Sequence, residues 1–284
     1  MHRGSFEGRG RARRIGPALL LAALLPGCRA PQPARPVVAA TVPPLAWLAR
    51  TLAGPAVEVV PLVPPGARPE TFAPAPARWA ALSRTRVAVG TGHAAAAFEQ
   101  RLLRRLREVS PRFLLVTPPA DRFPDPHVWV DPRAMRLLAE RLAGELGRLV
   151  PEARPALGER LARVRRIIDA AEAELRAAAA RAPGRSFLVL HPVWSRLADR
   201  LGLREIPVGS GERTPGPFGL ARALRRARRH RADLLLAQPQ LPLAAARELA
   251  RAAGVRAVVV DPLASDWPSA WSRFAAAIRE GTRR

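Results

Sequence analysis

The 284-residue chain contains no tyrosine, no lysine and no asparagine, and it has a single cysteine. One cysteine excludes an intramolecular disulfide and a metal cluster built from several thiolates. Because lysine is absent, all 47 basic side chains are arginines. We attribute this usage to a GC-rich coding bias, which replaces lysine by arginine throughout a chain.

The net charge of +24 raises the question of an acidic partner, such as nucleic acid or an anionic membrane. The arginines are spread over many amphipathic segments, and no aromatic-interleaved basic patch or nucleic-acid-binding motif is present. We therefore expect no nucleic-acid partner. A glycine-rich phosphate loop and a nucleophile elbow are also missing, which argues against the enzyme classes that depend on them.

The N-terminus has the pattern of a secretory leader. Several arginines precede an apolar run at 15–25, which is too short to span a bilayer comfortably. The following Leu-Pro-Gly-Cys resembles a bacterial lipobox, so we expect residues 1–27 to be a signal peptide and Cys28 to be lipidated. Residues 28–36 then form a tether that anchors the protein to the membrane, in the periplasm or at the cell surface. An ordinary cleaved leader with a free Cys28 thiol is the alternative.

Beyond the tether, short apolar strands alternate with amphipathic helices, which predicts an α/β protein with parallel sheets. We expect an N-terminal lobe at 37–150 and a C-terminal lobe at 183–284, the latter including a helix at 193–201. Residues 151–182 form a linking helix, because apolar side chains recur there at alternating spacings of four and three. That stripe is short for a coiled-coil seam, so we expect a monomer.

Four possible metal ligands lie just after predicted strands or in proline-stiffened loops: Glu70, His127, His191 and Asp261. Two imidazoles and two carboxylates suit a borderline divalent ion such as Zn²⁺ or Mn²⁺. Each residue also has a simpler explanation. Glu70 can be a solvated loop acid, His127 an ordinary loop histidine, His191 a helix cap, and Asp261 a partner of its own turn.

The order of the motifs around these residues resembles the zinc and manganese solute-binding proteins of ABC transporters. The motifs are Pro-Pro-Gly-Ala-x-Pro-x-Thr-Phe-x-Pro at 64–74, Asp-Pro-His-Val-Trp-Val-Asp-Pro at 125–132, a strand ending in His191 with Trp194 three residues later, Pro-Gln at 239–240 and Asp-Pro-Leu at 261–263. The likeness extends from residue 37 to the C-terminus.

The resemblance implies two Rossmann-like lobes, each a parallel sheet flanked by helices, joined by a long rigid α-helix. It places the metal in the cleft between the lobes and carries the ligand roles over to Glu70, His127, His191 and Asp261. Zn²⁺ is the first expectation and Mn²⁺ the second. The implied function is capture of the metal and delivery to an ABC permease, without catalysis.

The chain departs from the family pattern at two ligand loops. Arg68-Pro69-Glu70 stands where the family usually has Asp-Pro-His, and Pro192 follows His191 where the family commonly has Asp. A histidine-rich loop before Asp-Pro-His is absent, and His93 is a further candidate ligand. Two other functions therefore stay open: a secreted zinc hydrolase with Glu70 as general base, and a degenerate member acting as an adhesin or accessory lipoprotein.

Overall fold

The computed structural model describes residues 1–2, 35–209 and 216–280. Residues 35–284 belong to one compact unit, and the fold described below is that of this unit. The expected leader after residue 2, Cys28 and most of the tether lie outside the described residues. Among the helices of the described part, none has the length and apolar character needed to cross a membrane.

The N-terminal lobe contains a sheet of four parallel strands in the order β2-β1-β3-β4. These strands are β1 (Val37–Ala40), β2 (Glu58–Pro61), β3 (Thr85–Val89) and β4 (Leu114–Val116). The central strand β1 is fully buried, as expected for a continuous apolar run covered on both faces.

Four helices accompany this sheet, and prolines in the first turn begin three of them. They are α1 (Pro43–Ala53), α2 (Pro76–Leu82), α3 (Ala97–Val109) and α4 (Pro132–Leu149). The carboxylate of Asp131 accepts a hydrogen bond from the Arg133 amide at the start of α4. This N-cap satisfies a donor that the helix itself leaves without a partner.

The linking helix α5 (Arg154–Ala180) has 27 residues and follows a short 3-10 turn at Pro151–Ala153. At ~1.5 Å per residue its length is about 40 Å. Its apolar stripe is buried at Leu157, Val164, Ile168 and Leu175, as the spacing predicts. The helix packs against α1 and α4 of the first lobe and against the last helix of the second.

The C-terminal lobe repeats the same design, with a parallel sheet in the order β6-β5-β7-β8. Its strands are β5 (Ser186–Val189), β6 (Arg204–Pro207), β7 (Leu234–Ala237) and β8 (Arg256–Val259). Its helices are α6 (Ser195–Arg200), α7 (Pro217–Arg229), α8 (Leu243–Ala253) and α9 (Trp267–Glu280). The two parallel sheets and the long helix confirm the predicted two-lobe α/β architecture.

The lobes share one hydrophobic core in which tryptophans make the contact. Trp47 of α1 stacks on Trp267 of α9 with ring centroids 5.3 Å apart. Trp267 also donates a hydrogen bond from Nε1 to the carbonyl of Trp129, at 2.8 Å. Because Trp129 follows His127 by two residues, this bond ties the C-terminal lobe to the loop that carries a predicted ligand.

The helix expected at 193–201 begins two residues later than predicted, at Ser195. The amides of Val193 and Trp194 donate to the carboxylate of Glu205, at 3.2 and 3.1 Å. Because the side chain of Glu205 on β6 satisfies these two amides, residues 193 and 194 stay outside the helix. Burial raises the pKa of Glu205, although the hydrogen bonds from Ser195, Trp194 and Val193 act in the opposite direction.

Candidate metal centre

A cavity of about 250 Å³ lies between loops of the two lobes. Among its lining residues are three of the four predicted ligands: Glu70, His127 and His191. All three follow the carboxyl ends of parallel strands, where α/β sheets bind their ligands. The cavity is therefore the place at which the two halves of the chain bring three of the candidate ligands together.

His127 is oriented by Asp125, two residues earlier in the same turn. Asp125 Oδ1 lies 2.8 Å from Nδ1 of His127 and accepts a bond of the same length from the His127 amide. With a proton on Nδ1, the Nε2 lone pair is available to a metal, as in carboxylate–histidine–metal arrangements. Burial raises the pKa of Asp125, but the hydrogen bonds and charge of His127 and the charge of Arg196 outweigh burial and lower it.

His191 comes from the C-terminal lobe, two residues after β5 ends. Its ring stands edge-to-face with that of His127, with centroids 5.5 Å apart and an interplanar angle of 82°. The buried side chain of Gln238, which follows β7, donates to the His191 carbonyl at 3.1 Å. This bond joins the ends of two neighbouring strands and restrains the backbone from which the imidazole projects.

Glu70 lies on the N-terminal side of the cavity, where its Oε2 is 3.5 Å from Nε of Arg68. Its loop is held by Arg101 of α3, whose guanidinium donates to the carbonyls of Glu70 and Phe72 at 3.2 and 3.3 Å. The loop is thus well anchored, while the carboxylate is engaged by an adjacent cation.

Asp261 lies at the edge of the cavity, since Pro262 and Leu263 line the wall and Asp261 does not. Its Oδ1 accepts from Gln240 Nε2 at 2.7 Å and from the Leu263 amide at 2.8 Å. Both bonds use the same oxygen. The turn-forming role considered for Asp261 is therefore present, and a second carboxylate oxygen remains for another contact.

Within the described ranges, no three histidine, cysteine, aspartate or glutamate side chains form a ready-made metal cage. The two imidazoles are brought together, whereas Glu70 and Asp261 are engaged by Arg68 and Gln240. His93 does not line the cavity, and its Nδ1 accepts a hydrogen bond from the Ala95 amide at 3.0 Å. That histidine stabilises its own turn at the start of α3.

Three residues that position the candidate ligands were not predicted from the sequence to have a role: Asp125, Gln238 and Gln240. A signal was present for each, because Asp125 precedes the histidine of Asp-Pro-His and the Gln-Pro-Gln segment follows a strand directly. Only the fold shows that the two glutamines reach different neighbouring loops.

The family model of the periplasmic zinc-uptake complex component A, ZnuA, matches residues 38–283 of the chain. The chain belongs to the ZnuA family. This confirms the resemblance to metal solute-binding proteins that the sequence motifs indicate. A comparison with curated proteins gives no match.

Solved structures of the family superimpose well on the chain. A zinc-bound ZnuA deletion mutant is 27% identical, with a TM-score of 0.77 over 88% of this chain and 99% of that one. The periplasmic zinc-binding protein TroA from Treponema pallidum is 16% identical, with a TM-score of 0.77 over 88% and 100%. FpvC from Pseudomonas aeruginosa, in complex with Mn²⁺, is 19% identical, with a TM-score of 0.72 over 88% and 98%. At 16% and 19% identity, TroA and FpvC show that the fold is shared.

Proposed function

We propose that the protein binds a divalent transition metal outside the cytoplasmic membrane, Zn²⁺ in preference to Mn²⁺, and delivers it to an ABC permease. The observation that carries the proposal is the pair of imidazoles of His127 and His191, which come from different lobes and meet in one cavity. Membership of a zinc-uptake family supports the same function.

The spacing of the two rings suits a shared tetrahedral ion. With Zn–N bonds of about 2.05 Å and a ring nitrogen about 1.1 Å from its centroid, two imidazoles on one tetrahedral zinc have centroids roughly 5.2 Å apart. The observed separation is 5.5 Å. Small side-chain adjustments are therefore enough for both histidines to bind one metal, provided that both are neutral.

The carboxylates complete the proposed site after local rearrangement. Glu70 has to exchange its contact with Arg68 for the metal, while Asp261 can offer Oδ2 and keep Gln240 on Oδ1. Four protein ligands leave no obligatory position for an activated water, which distinguishes a closed site from a catalytic one. The proposed function is therefore binding and delivery, with no enzymatic step.

The preference for zinc rests on the ligand chemistry and on the relatives. Two nitrogens and two oxygens suit both metals, but the intrinsic affinity of such a site is higher for Zn²⁺ than for Mn²⁺. The zinc-bound relative is also more similar in sequence than the manganese-bound one, at 27% against 19% identity. Zn²⁺ and Mn²⁺ titrations of the same preparation test the order directly.

The decisive test of the binding site is zinc titration against a chelator of known affinity. We expect His127→Ala and His191→Ala each to lower the affinity by well over tenfold, because each removes a nitrogen that coordinates the metal. His93→Ala is the matched control, since it removes an imidazole that does not line the cavity, and its affinity should equal that of the wild type. Equal affinity in all four proteins would remove the two histidines from the site.

The carboxylates are tested in the same assay. Asp261→Ala should lower zinc affinity by at least tenfold, whereas a purely turn-forming aspartate predicts lower stability with unchanged affinity. Glu70→Ala is compared with Glu70→His, which restores the imidazole typical of the family. If the wild type and both variants bind zinc equally, Glu70 is not a ligand.

Delivery and location require cellular measurements. Deletion of the gene should reduce zinc accumulation under zinc scarcity, and unchanged accumulation of both metals would contradict a transport role. We also propose that the chain acts as a monomer anchored through Cys28, by analogy with the lipobox motif. Cys28→Ala should release or misprocess the protein; full membrane retention with normal processing would contradict the anchor.

A further inference from the structure

Helix α7 differs in charge from the other arginine-rich helices. It contains five arginines and no aspartate or glutamate. The other helices with more than two arginines, α3, α4 and α5, each contain at least two acidic residues. A composition bias toward arginine therefore explains the number of arginines in α7 but does not explain the missing acids.

The side chains of α7 are arranged as one exposed stripe. Residues 218, 222, 225 and 229 recur at spacings of four, three and four, which places them on the same helix face. The α7 stripe consists of Phe218, Arg222, Arg225 and Arg229, all of them exposed. Phe218 is 92% exposed, the largest value for any apolar side chain in the described part of the chain after the terminal Met1.

The opposite face of α7 is fixed to the body of the lobe. Ala223 and Ala227 are buried in the smaller hydrophobic cluster, and Leu220 and Leu224 pack against it. The helix therefore cannot rotate to bury Phe218 without losing these contacts. The orientation of the stripe toward the outside is a consequence of the amphipathic pattern of the helix.

The positive charge of α7 is not compensated by its described surroundings. None of its five arginines forms an ion pair with a residue in the ranges 35–209 and 216–280. The nearby His230 responds to this field, because partial burial and the charges of Arg204, Arg229 and Arg226 lower its pKa. A partner that carries negative charge would relieve this repulsion.

We propose that the α7 stripe is a docking surface for an anionic phospholipid bilayer. Guanidinium groups pair well with phosphate oxygens, and an exposed phenylalanine can enter the headgroup boundary. A straight row about 17 Å long, at ~1.5 Å per residue from position 218 to position 229, suits a flat surface better than a pocket. The inference is independent of the metal site and concerns how the protein lies on the membrane.

The test uses residues 35–284, because this segment contains both hydrophobic clusters and is one compact unit. Binding is measured by flotation with vesicles of phosphatidylcholine alone and of phosphatidylcholine mixed with phosphatidylglycerol. We expect binding to the mixed vesicles only, weakening steeply with added salt. Absence of binding to the mixed vesicles at low salt would overturn the proposal.

The α7 variant is the triple change Arg222→Gln, Arg225→Gln and Arg229→Gln. Because each arginine near an anionic surface adds to the attraction, we expect vesicle affinity to fall by at least tenfold. The matched control is the triple change Arg141→Gln, Arg163→Gln and Arg166→Gln. These arginines of α4 and α5 are also exposed and also lack ion pairs with described residues, so the control removes the same charge elsewhere.

Two outcomes of the comparison would contradict the proposal. Equal loss in both triple variants would show that only net charge matters, and unchanged vesicle binding with reduced cellular metal uptake would assign α7 to a protein partner. The single change Phe218→Ala should lower vesicle affinity without altering charge, which keeps the proposal testable if the triple variant folds poorly. Zinc affinity should be unchanged in all these variants, so failure here is distinguishable from failure of the metal site.

Discussion

Arg200 of α6 connects three parts of the molecule, and its removal is the most informative perturbation of the fold. Its Nη1 lies 2.7 Å from Asp131 Oδ1, at the N-cap of α4, and its Nη2 lies 2.9 Å from Glu172 Oε1 on the linking helix. The side chains of Arg200, Asp131 and Glu172 are 21%, 9% and 15% exposed. This partly buried bridge joins both lobes to the linking helix. Asp131, its contact in the N-terminal lobe, follows the candidate ligand His127 by four residues.

The expected effect of Arg200→Met follows from what each carboxylate retains. A hydrogen bond contributes about 0.5–1.5 kcal/mol net when the groups left behind keep other partners, and two are lost. Asp131 keeps Arg133, and Glu172 keeps Arg176 and, at 3.6 Å, Arg136. Neither charge is left without a partner, so the loss should be below the 3–5 kcal/mol typical of an orphaned buried charge. We expect the free energy of unfolding to fall by about 2 kcal/mol.

Urea unfolding of residues 35–284 measures this change, and Arg176→Met is the matched control. Arg176 contacts the same Glu172 oxygen at 2.8 Å, but its side chain is 69% exposed. An exposed pair at this spacing contributes about 0.3–0.5 kcal/mol, so the control should be close to the wild type. A loss for Arg200→Met no greater than that for Arg176→Met would refute the argument that burial makes the bridge strong.

Three further predictions concern pH, the lobe interface and the metal site. Burial raises the pKa of Glu172, but its arginine partners outweigh burial and lower the pKa from 4.5. Because the pKa is lower in the folded state, Glu172 stabilises the fold above about pH 4.5, and this stabilisation is lost as the pH falls through the folded pKa. Glu172→Gln should therefore flatten the acid-side fall of the free energy of unfolding in urea titrations. Trp267→Phe should lower the free energy of unfolding by about 2 kcal/mol, because it leaves the buried Trp129 carbonyl without its donor; an unfolding curve identical to the wild type would contradict this. Gln240→Leu should lower zinc affinity by roughly tenfold by releasing Asp261, as is typical of residues that orient a metal ligand, and unchanged affinity would show that Asp261 needs no such support.

The alternation of strands and helices could be predicted because each element carries its own periodic pattern. The apolar stripe indicated a long buried helix, and the structure buries all of its residues except the half-buried Leu161: Leu157, Val164, Ile168, Ala171 and Leu175. The start of α4 could also be predicted from neighbouring residues, because a capping carboxylate followed by proline, here Asp131-Pro132, begins a helix. The loops that carry Glu70, His127, His191 and Asp261 could be located for the same reason.

The errors arose where a distant side chain competes with a local pattern. The sequence from 193 onward favours a helix, but Glu205 satisfies the amides of Val193 and Trp194, and the helix begins at Ser195. The chain at His93 likewise forms a turn, in which the ring accepts a bond from the Ala95 amide, and α3 begins only at Ala97. Neither effect is visible in a window of neighbouring residues, because the competing group is another element or a turn that the fold stabilises.

By itself, then, the sequence determined the class of fold, the family and the loops in which ligands should be sought, because these depend on periodicity, capping and motifs that are local in the chain. Only the tertiary structure decided which of these residues meet. The ring centroids of His127 and His191 lie 5.5 Å apart, and Gln240 donates a hydrogen bond to Asp261. Arg200 forms ion pairs with both Asp131 and Glu172. The physical reason is that these contacts join residues between 21 and 69 positions apart, and their geometry depends on how two sheets and one long helix pack together.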